Sequence, residues 1–360
     1  MIFLGDIASP TATHTKVIEK CFLDNPEVFS GEKIICNFEG LIYDGPCLKS
    51  NEPLLYNHSS ILKVLNLGKR SVLCLANNHV LDMPRQFEST IKLINNEGHL
   101  YCGAGRNFEE AENPVVFVEE SKTFAIFNFC WNFLLYNHRN PSSGIYVAEL
   151  NELNLIDKIQ DLKKKSPEIT IIVYIHWSLD LETLPFPLYR QFSKAIIDSG
   201  ADLVIGSHSH CVQGGEKHGN GYILYGLGNF FIPNDVYAGG NLKFPDFTNT
   251  GLALEWDIIN NKIICHWFNY TIQDFQHKLD YIGSEEFLSS ERLNAFSPFT
   301  GMSEQKYIEY FKKNRRKKKL IPVYTDYKKV CLNNFYTRVL KTRARTAHFL
   351  AKLKFIKWQN

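Results

Sequence analysis

The sequence predicts an α/β fold. Through residue 232, short β-branched or aromatic-rich runs alternate with longer amphipathic stretches, and most runs end beside Gly, Asn or His. The chain has 360 residues, 44% of them hydrophobic and 22% charged, which supplies a large core and excludes a disordered chain.

Taken in order, the predicted strands are Met1–Leu4, Lys33–Phe38, Ser71–Ala76, Thr123–Asn128, Thr170–His176, Leu203–Gly206 and Gly221–Tyr225. Helical segments fall between them at Ser59–Leu67, Arg85–Glu97, Glu152–Lys165 and Leu188–Ser199. In the last, Phe192, Ala195, Ile196 and Ser199 keep helical spacing and Gly200 suits the position just past a helix end. Leu252–Ile259 and Lys262–Asn269, joined by Asn260-Asn261, read as a closing hairpin. Residues 270–305 read as a less regular connection, so the expected organisation is a main domain over 1–270, an irregular connection over 271–311 and a basic amphipathic tail over 312–360.

Charge separates these regions. Residues 301–360 hold 17 Lys and Arg against three acidic residues, a net +14, while the other 300 carry 23 basic and 35 acidic residues, a net −12. The tail combines a dense run at Lys312–Lys319 with helical spacing of Val339, Ala347, Leu350, Leu353 and Ile356 over Tyr336–Trp358. A solvated extension docked on the main domain, contact with an anionic membrane surface, and nucleic-acid binding are all open to it. Nucleic acid is the least favoured, since no aromatic ladder or nucleic-acid motif accompanies the charge. No apolar run reaches the roughly 18 residues a bilayer span needs, and the first residues lack a secretion signal. Nine cysteines, scattered singly, argue against a disulfide framework or zinc ribbon. The expected location is therefore the cytoplasm, with the tail as a route to the inner membrane surface.

The chemistry lies where the strands end. Asp6 follows the first strand, Asn37-Phe38-Glu39 closes the second, Asn77-Asn78-His79 the third, His176-Trp177 a later one, and Ser207-His208-Ser209-His210 follows Leu203–Gly206. Carboxyl ends of strands in open α/β sheets converge on one crevice, so these groups can meet despite their separation in sequence. Carboxylates, an amide oxygen and imidazoles suit Mn, Fe or Zn, and the absence of thiolates disfavours a structural zinc site. Each residue has a plainer alternative. Asp6 can cap a helix, Asn77-Asn78 can be turn residues, and His176 can be a hydrogen-bonded core histidine. His208 and His210 point to one side if their segment is extended.

Several of these motifs together resemble a known family. Gly5-Asp6, Asn37-Phe38-Glu39-Gly40, Ala76–Asp82 and Gly103–Asn107, then His176-Trp177, Gly200–His210 and Tyr225–Phe230, look like successive motifs of the CapA capsule-synthesis family. That family is linked to poly-γ-glutamate and other capsule polymers and is similar to calcineurin-like metallophosphoesterases; the resemblance covers about residues 1–270 and not the tail.

The resemblance implies a four-layer α/β/β/α sandwich around two divalent metal ions. It places Asp6 and His210 on one ion, Asn78, His176 and His208 on the other, Glu39 between them, and His79 as the histidine that protonates a leaving group or steadies the transition state. The sequence also departs from the pattern. Ala8 stands where metallophosphoesterases have a histidine, and Ser178, Ser209 and Gly226 replace the Gly, Pro and Ser common in the family.

The expected activity is metal-dependent hydrolysis of a phosphoester, or of an amide or ester in a capsule-type polymer, by water activated between the ions. The competing expectation is a non-catalytic polymer-binding, export or assembly factor on the same scaffold, which Ala8 keeps open. A third makes the tail the active principle. Asn37, Asn77, Asp180 and Asn229 are candidate supporting or substrate-contacting residues. Asp180 and Glu182 suit ligand hydroxyls, orientation of His176, or simply a solvent-facing acidic turn. Gly103–Asn107 suits an anion loop less well than a strand-to-helix turn, and Trp131, Trp177 and Tyr225 suit sugar stacking less well than the core.

Overall fold

The computed structural model describes residues 1–48, 50, 52–66, 69–137, 144–316 and 321–352, the last six of these by their backbone alone. The expected α/β class holds. Two mixed sheets lie face to face with helices on their outer sides, a four-layer α/β/β/α arrangement.

The first sheet is built on β1 (Ile2–Ile7), β2 (Ile34–Phe38), β3 (Val72–Cys74) and β4 (Leu100–Cys102), all parallel. The second contains β5 (Val115–Glu119), β6 (Lys122–Cys130), β7 (Thr170–His176), β8 (Leu203–Ser207), β9 (Gly215–His218) and β10 (Gly221–Leu224). Its central β6, β7, β8 and β10 are parallel, with β5 and β9 antiparallel at the edges. The chain then returns to the first sheet: β11 (Asn229–Phe231) runs parallel beside β1, and β12 (Thr250–Asp257), β13 (Lys262–Gln273) and β14 (Gln276–Glu286) extend it as an antiparallel meander.

The period-two alternation of these strands sorts their side chains between layers. Phe3, Ile35, Val72, Ile126, Ile172, Tyr174 and Leu203 fill the space between the sheets. Ile2, Leu4, Ile34, Leu73, Phe127, Val173 and Val204 instead face the outer helical layers. Among those helices are α1 (Ala12–Asp24), α2 (Phe87–Asn96), α3 (Glu152–Lys165) and α4 (Pro187–Asp198). The Tyr174 hydroxyl crosses the inter-sheet layer to donate to the Leu4 carbonyl at 2.6 Å, fixing β7 directly beneath the end of β1.

The expected irregular connection is in part regular. β13 runs past Asn269 to Gln273, and β14 pairs with it throughout. The turn between them is Asp274-Phe275, with φ of 50° and 62°, the left-handed pair a tight hairpin requires. Neither residue is glycine or asparagine, so the sequence carries no hairpin signal there. Farther on lie a short helix at Glu291–Phe296, α5 (Glu304–Asn314) and α6 (Val330–Lys352).

The described part of the basic extension packs against the main domain. Tyr324 is edge-on to Trp131 and Phe186, each at 5.6 Å, and Tyr327 and Leu340 are buried in the outer core. Lys317–Lys319 of the basic run, with Leu353 and Ile356, lie outside the described residues, as do the side chains of Ala347 and Leu350. Among the described residues, no helix is long and apolar enough to cross a membrane.

Candidate metal centre

The carboxyl ends of β1, β2, β3, β7 and β8 meet at one edge of the sandwich, and each delivers a polar group. Asp6 lies at the end of β1, beside a register shift in its pairing with β2. There Asn37 Nδ2 donates to Asp6 Oδ1 at 2.8 Å, and the His208 amide donates to Oδ2 at 3.2 Å. Asn77 caps the short helical turn Asn78–Leu81, accepting from Val80 N, while its amide donates to the Phe38 carbonyl and to Asn37 Oδ1. Asn37 and Asn77 thus join three strand ends and set the positions of Asp6 and Asn78; this is the turn role open to Asn77, exercised inside the site.

The imidazoles follow from β7, β8 and that helical turn. His176 Nε2 is 2.9 Å from Asn78 Oδ1 and 3.9 Å from Glu39 Oε1, and Ser207 Oγ lies 3.0 Å from Nδ1. Its ring is 4.6 Å from that of His208. His210 Nδ1 lies 2.8 Å from Asn229 Oδ1 and 3.5 Å from Asp6 Oδ2. His79 is held by Asp82, with Nδ1 2.6 Å from Oδ2, and turns Nε2 toward Glu39 Oε1 at 3.8 Å.

The His208–His210 segment is not extended. Their φ values are 85° and 56°, so both adopt the left-handed region that side chains avoid, and Ser178 at 79° and Leu181 at 60° do so nearby. Strained backbone concentrated at one cleft is characteristic of functional sites. The two imidazoles reach the same pocket because of the local twist, not through strand alternation.

Glu39 identifies what the pocket suits. Its carboxylate is fully buried, and neither Oε1 nor Oε2 has a hydrogen-bond partner among the described residues. Burial, reinforced by the carboxylates of Asp6, Asp180 and Asp82, holds its pKa well above the usual carboxylate range. Burial also raises Asp6, with His210 opposing. Burial and the imidazoles of His208, His210 and His79 push His176 well below the ordinary histidine value, which keeps a nitrogen lone pair free to bind a cation. An orphaned buried carboxylate is costly unless a cation faces it. Ligand atoms of Glu39, His208 and His210 lie within 4.8 Å of one another. With the oxygens of Asp6 and Asn78 and the nitrogen of His176, this donor set fits divalent Mn, Fe or Zn.

Asp6, Glu39, Asn78, His79, His176, His208 and His210 therefore share one pocket, with Asn37, Asn77 and Asn229 supporting them. Asp180 is half-exposed and lies 3.0 Å from His208 Nε2, so it faces His208 and not His176. Glu182 is no part of a solvent-facing turn: it is buried and accepts from the backbone amide of Arg316. Ala8 sits in an apolar cluster with Tyr56, Ile232 and Tyr237.

Trp177 is buried and stacks on Tyr189 at 4.5 Å, Trp131 is almost fully buried, and Tyr225 gives its hydroxyl to Glu216 at 2.6 Å, so all three belong to the core. Gly103–Asn107 is the turn and not an anion loop: Asn107 caps the helix Phe108–Glu112, and Arg106 pairs with Glu88. One residue of the pocket escapes a reading by strand ends alone, Asp82. Asp82 follows His79 by three residues, a spacing that places both on one helical turn and would have revealed the pair.

The family model described as "Bacterial capsule synthesis protein PGA_cap" matches residues 8–234. The capsule biosynthesis protein CapA of Bacillus anthracis is 32% identical over 164 residues, 44% of this chain and 39% of that protein. The PGA biosynthesis protein CapA of Bacillus subtilis is 26% identical over 238 residues, 63% of this chain and 62% of that protein. The matches thus span less than two thirds of either relative. Among solved structures, a putative 5′-nucleotidase from Staphylococcus aureus in complex with alpha-ketoglutarate aligns over 86% of this chain and 58% of that one, with a TM-score of 0.43 and 11% identity. The protein TT1561 of Thermus thermophilus aligns over 73% and 97%, with a TM-score of 0.40 and 9% identity.

Proposed function

This chain belongs to the bacterial capsule synthesis protein PGA_cap family, and on that premise we propose that it is a divalent-metal-dependent hydrolase of the phosphoesterase type. Its substrate is a phosphoester, or an amide or ester bond of a capsule-type polymer such as poly-γ-glutamate. The observation that carries this reading is the unpartnered, buried Glu39 carboxylate facing the imidazoles of His79 and His176.

Asp6 and His210 would hold one ion, Asn78, His176 and His208 the other, with Glu39 between them. Two bound divalent ions supply Lewis acidity toward a phosphoryl or carboxyl oxygen and a water nucleophile at neutral pH. The chain's own groups do the rest. Asn229 and Ser207 orient His210 and His176 through their Nδ1 atoms. Asp82 accepts from His79 Nδ1–H and would stabilise the imidazolium, whose Nε2–H, directed into the pocket, hands a proton to the leaving oxygen or nitrogen.

One observation favours a second reading, a non-catalytic polymer-binding or assembly factor: Ala8 and its apolar neighbours fill the place of a further ligand. The deciding experiment is metal analysis of protein purified without chelator, with His208→Ala as control, alongside hydrolysis of bis(4-nitrophenyl) phosphate. Bound metal with chelator-sensitive turnover supports the hydrolase; polymer binding indifferent to chelator, without turnover, supports the scaffold. All nine cysteines are free, which suits a reducing compartment, and we place the protein in the cytoplasm, with the basic extension as its means of approach to the inner membrane surface.

A further inference from the structure

We propose that Arg316, supplied by the C-terminal segment beyond the family match, is a specificity-determining contact for an anionic group of the substrate, phosphate or carboxylate, at the mouth of the metal centre. The proposal rests on the reading above for where substrate sits.

Two loops frame that mouth. One carries Asp180, 3.0 Å from His208 Nε2. The other carries Phe244, whose half-buried ring is 4.8 Å from that of His210. Arg316 is anchored to both loops. Its backbone amide donates to Glu182 Oε1 at 3.1 Å, two residues beyond Asp180, and its guanidinium lies 4.0 Å above the ring of Phe247, three residues beyond Phe244. The chain on either side is fixed as well, by Tyr307 donating to the Pro185 carbonyl at 2.6 Å and Leu188 donating to the Tyr324 carbonyl at 3.0 Å.

A guanidinium lying on an aromatic face keeps its N–H edge available for a planar anion, and holding it in place beforehand reduces the entropy lost on binding. Arg316 is exposed, and its guanidinium forms no ion pair with a carboxylate among the described residues. Charge supplies the need. The pocket carboxylates of Asp6, Glu39, Asp82 and Asp180 would be offset by the bound cations, but residues 1–300 as a whole carry a net −12, a field that opposes the approach of a polyanion. The last 60 residues carry +14, and Arg316 places one of those charges on the two loops beside His208 and His210.

The test measures anisotropy of dye-labelled hexaglutamate and KM for bis(4-nitrophenyl) phosphate, with 4-nitrophenyl acetate as the neutral ester, all on full-length protein. Arg316→Gln should weaken at least one anion about 10-fold and flatten its salt dependence, while KM for the acetate stays unchanged. The arm that responds distinguishes a polycarboxylate from a phosphodiester. Arg316→Lys should recover part of the loss, and Phe247→Leu should fall between. Lys262→Gln, on the hairpin at the opposite end of the first sheet, should change nothing. Wild-type binding of neither anion, unchanged anion binding in Arg316→Gln, or an equal loss in Lys262→Gln would overturn the proposal. The hexaglutamate arm needs no turnover, so a failed hydrolase reading remains distinct from a failed Arg316 contact.

Discussion

A β-carbon at position 226 would lie 2.7 Å from Ser209 Oγ, so the serine between the two site histidines occupies the space a side chain on Gly226 would need. These are two of the positions at which the sequence departs from the CapA pattern, and the structure puts them in contact. Ser209 Oγ donates to the Cys211 carbonyl at 2.8 Å, supporting the left-handed turn that aims His208 and His210.

The pair should therefore behave as a unit. Gly226→Ser alone is expected to cost about 1–3 kcal/mol by overpacking. Ser209→Ala in the same chain should recover much of that cost. Urea denaturation of the two single variants and the double gives the coupling directly, and additive effects would show that the contact is not what constrains these positions.

His79→Ala should lower turnover by roughly 10²–10⁴ while metal content stays near wild type. Asp82→Asn should act through the same group, so adding it to His79→Ala should cost little more. Parallel metal analysis checks the assignment: ion loss matching the loss of turnover would make His79 a ligand instead.

Chelator should lower the melting temperature of the metal-loaded protein. Binding at 100–1,000 times Kd contributes about 2.7–4.1 kcal/mol, enough for a shift of several degrees. Glu39→Gln should bind less metal and lose most of this sensitivity. A variant that keeps the full chelator response would remove Glu39 from the centre.

His14 provides a pH test away from the site. Burial, with His277 4.9 Å away, pushes its pKa down to about 4. The unfolded chain, with histidine near 6.5, binds the proton more readily, so stability falls as pH drops from about 6.5 toward 4. His14 is only half-buried, so its share is at most about 2 kcal/mol. His14→Gln should shallow the acid limb of a stability–pH curve over that window; an unchanged limb would assign the loss to other groups.

Much of the fold was legible because burial writes itself into strands and helices. Ile171–Ile175 reads as a strand from its apolar, β-branched run, and Gly200, at a φ of 113°, closes α4 as its position suggested. β14 was hidden because its alternation is weak and its turn, Asp274-Phe275, uses residues that ordinarily avoid left-handed backbone. The pocket's members were legible as polar residues closing apolar runs; Asp82 was not, because its spacing matters only once His79 is known to need a partner.

Residue types and their order along the chain determined the α/β class and the candidate donor set, whose carboxylates, amide oxygen and imidazoles suit divalent cations, since these follow from periodicity and from ligand chemistry. Distances, orientations and partners were decided by the tertiary structure alone. Whether His208 and His210 share a pocket, whether Trp177 faces ligand or core, and whether a basic extension reaches the mouth depend on how two sheets stack and where a distant segment docks. Such contacts between residues remote in sequence leave no local pattern to read.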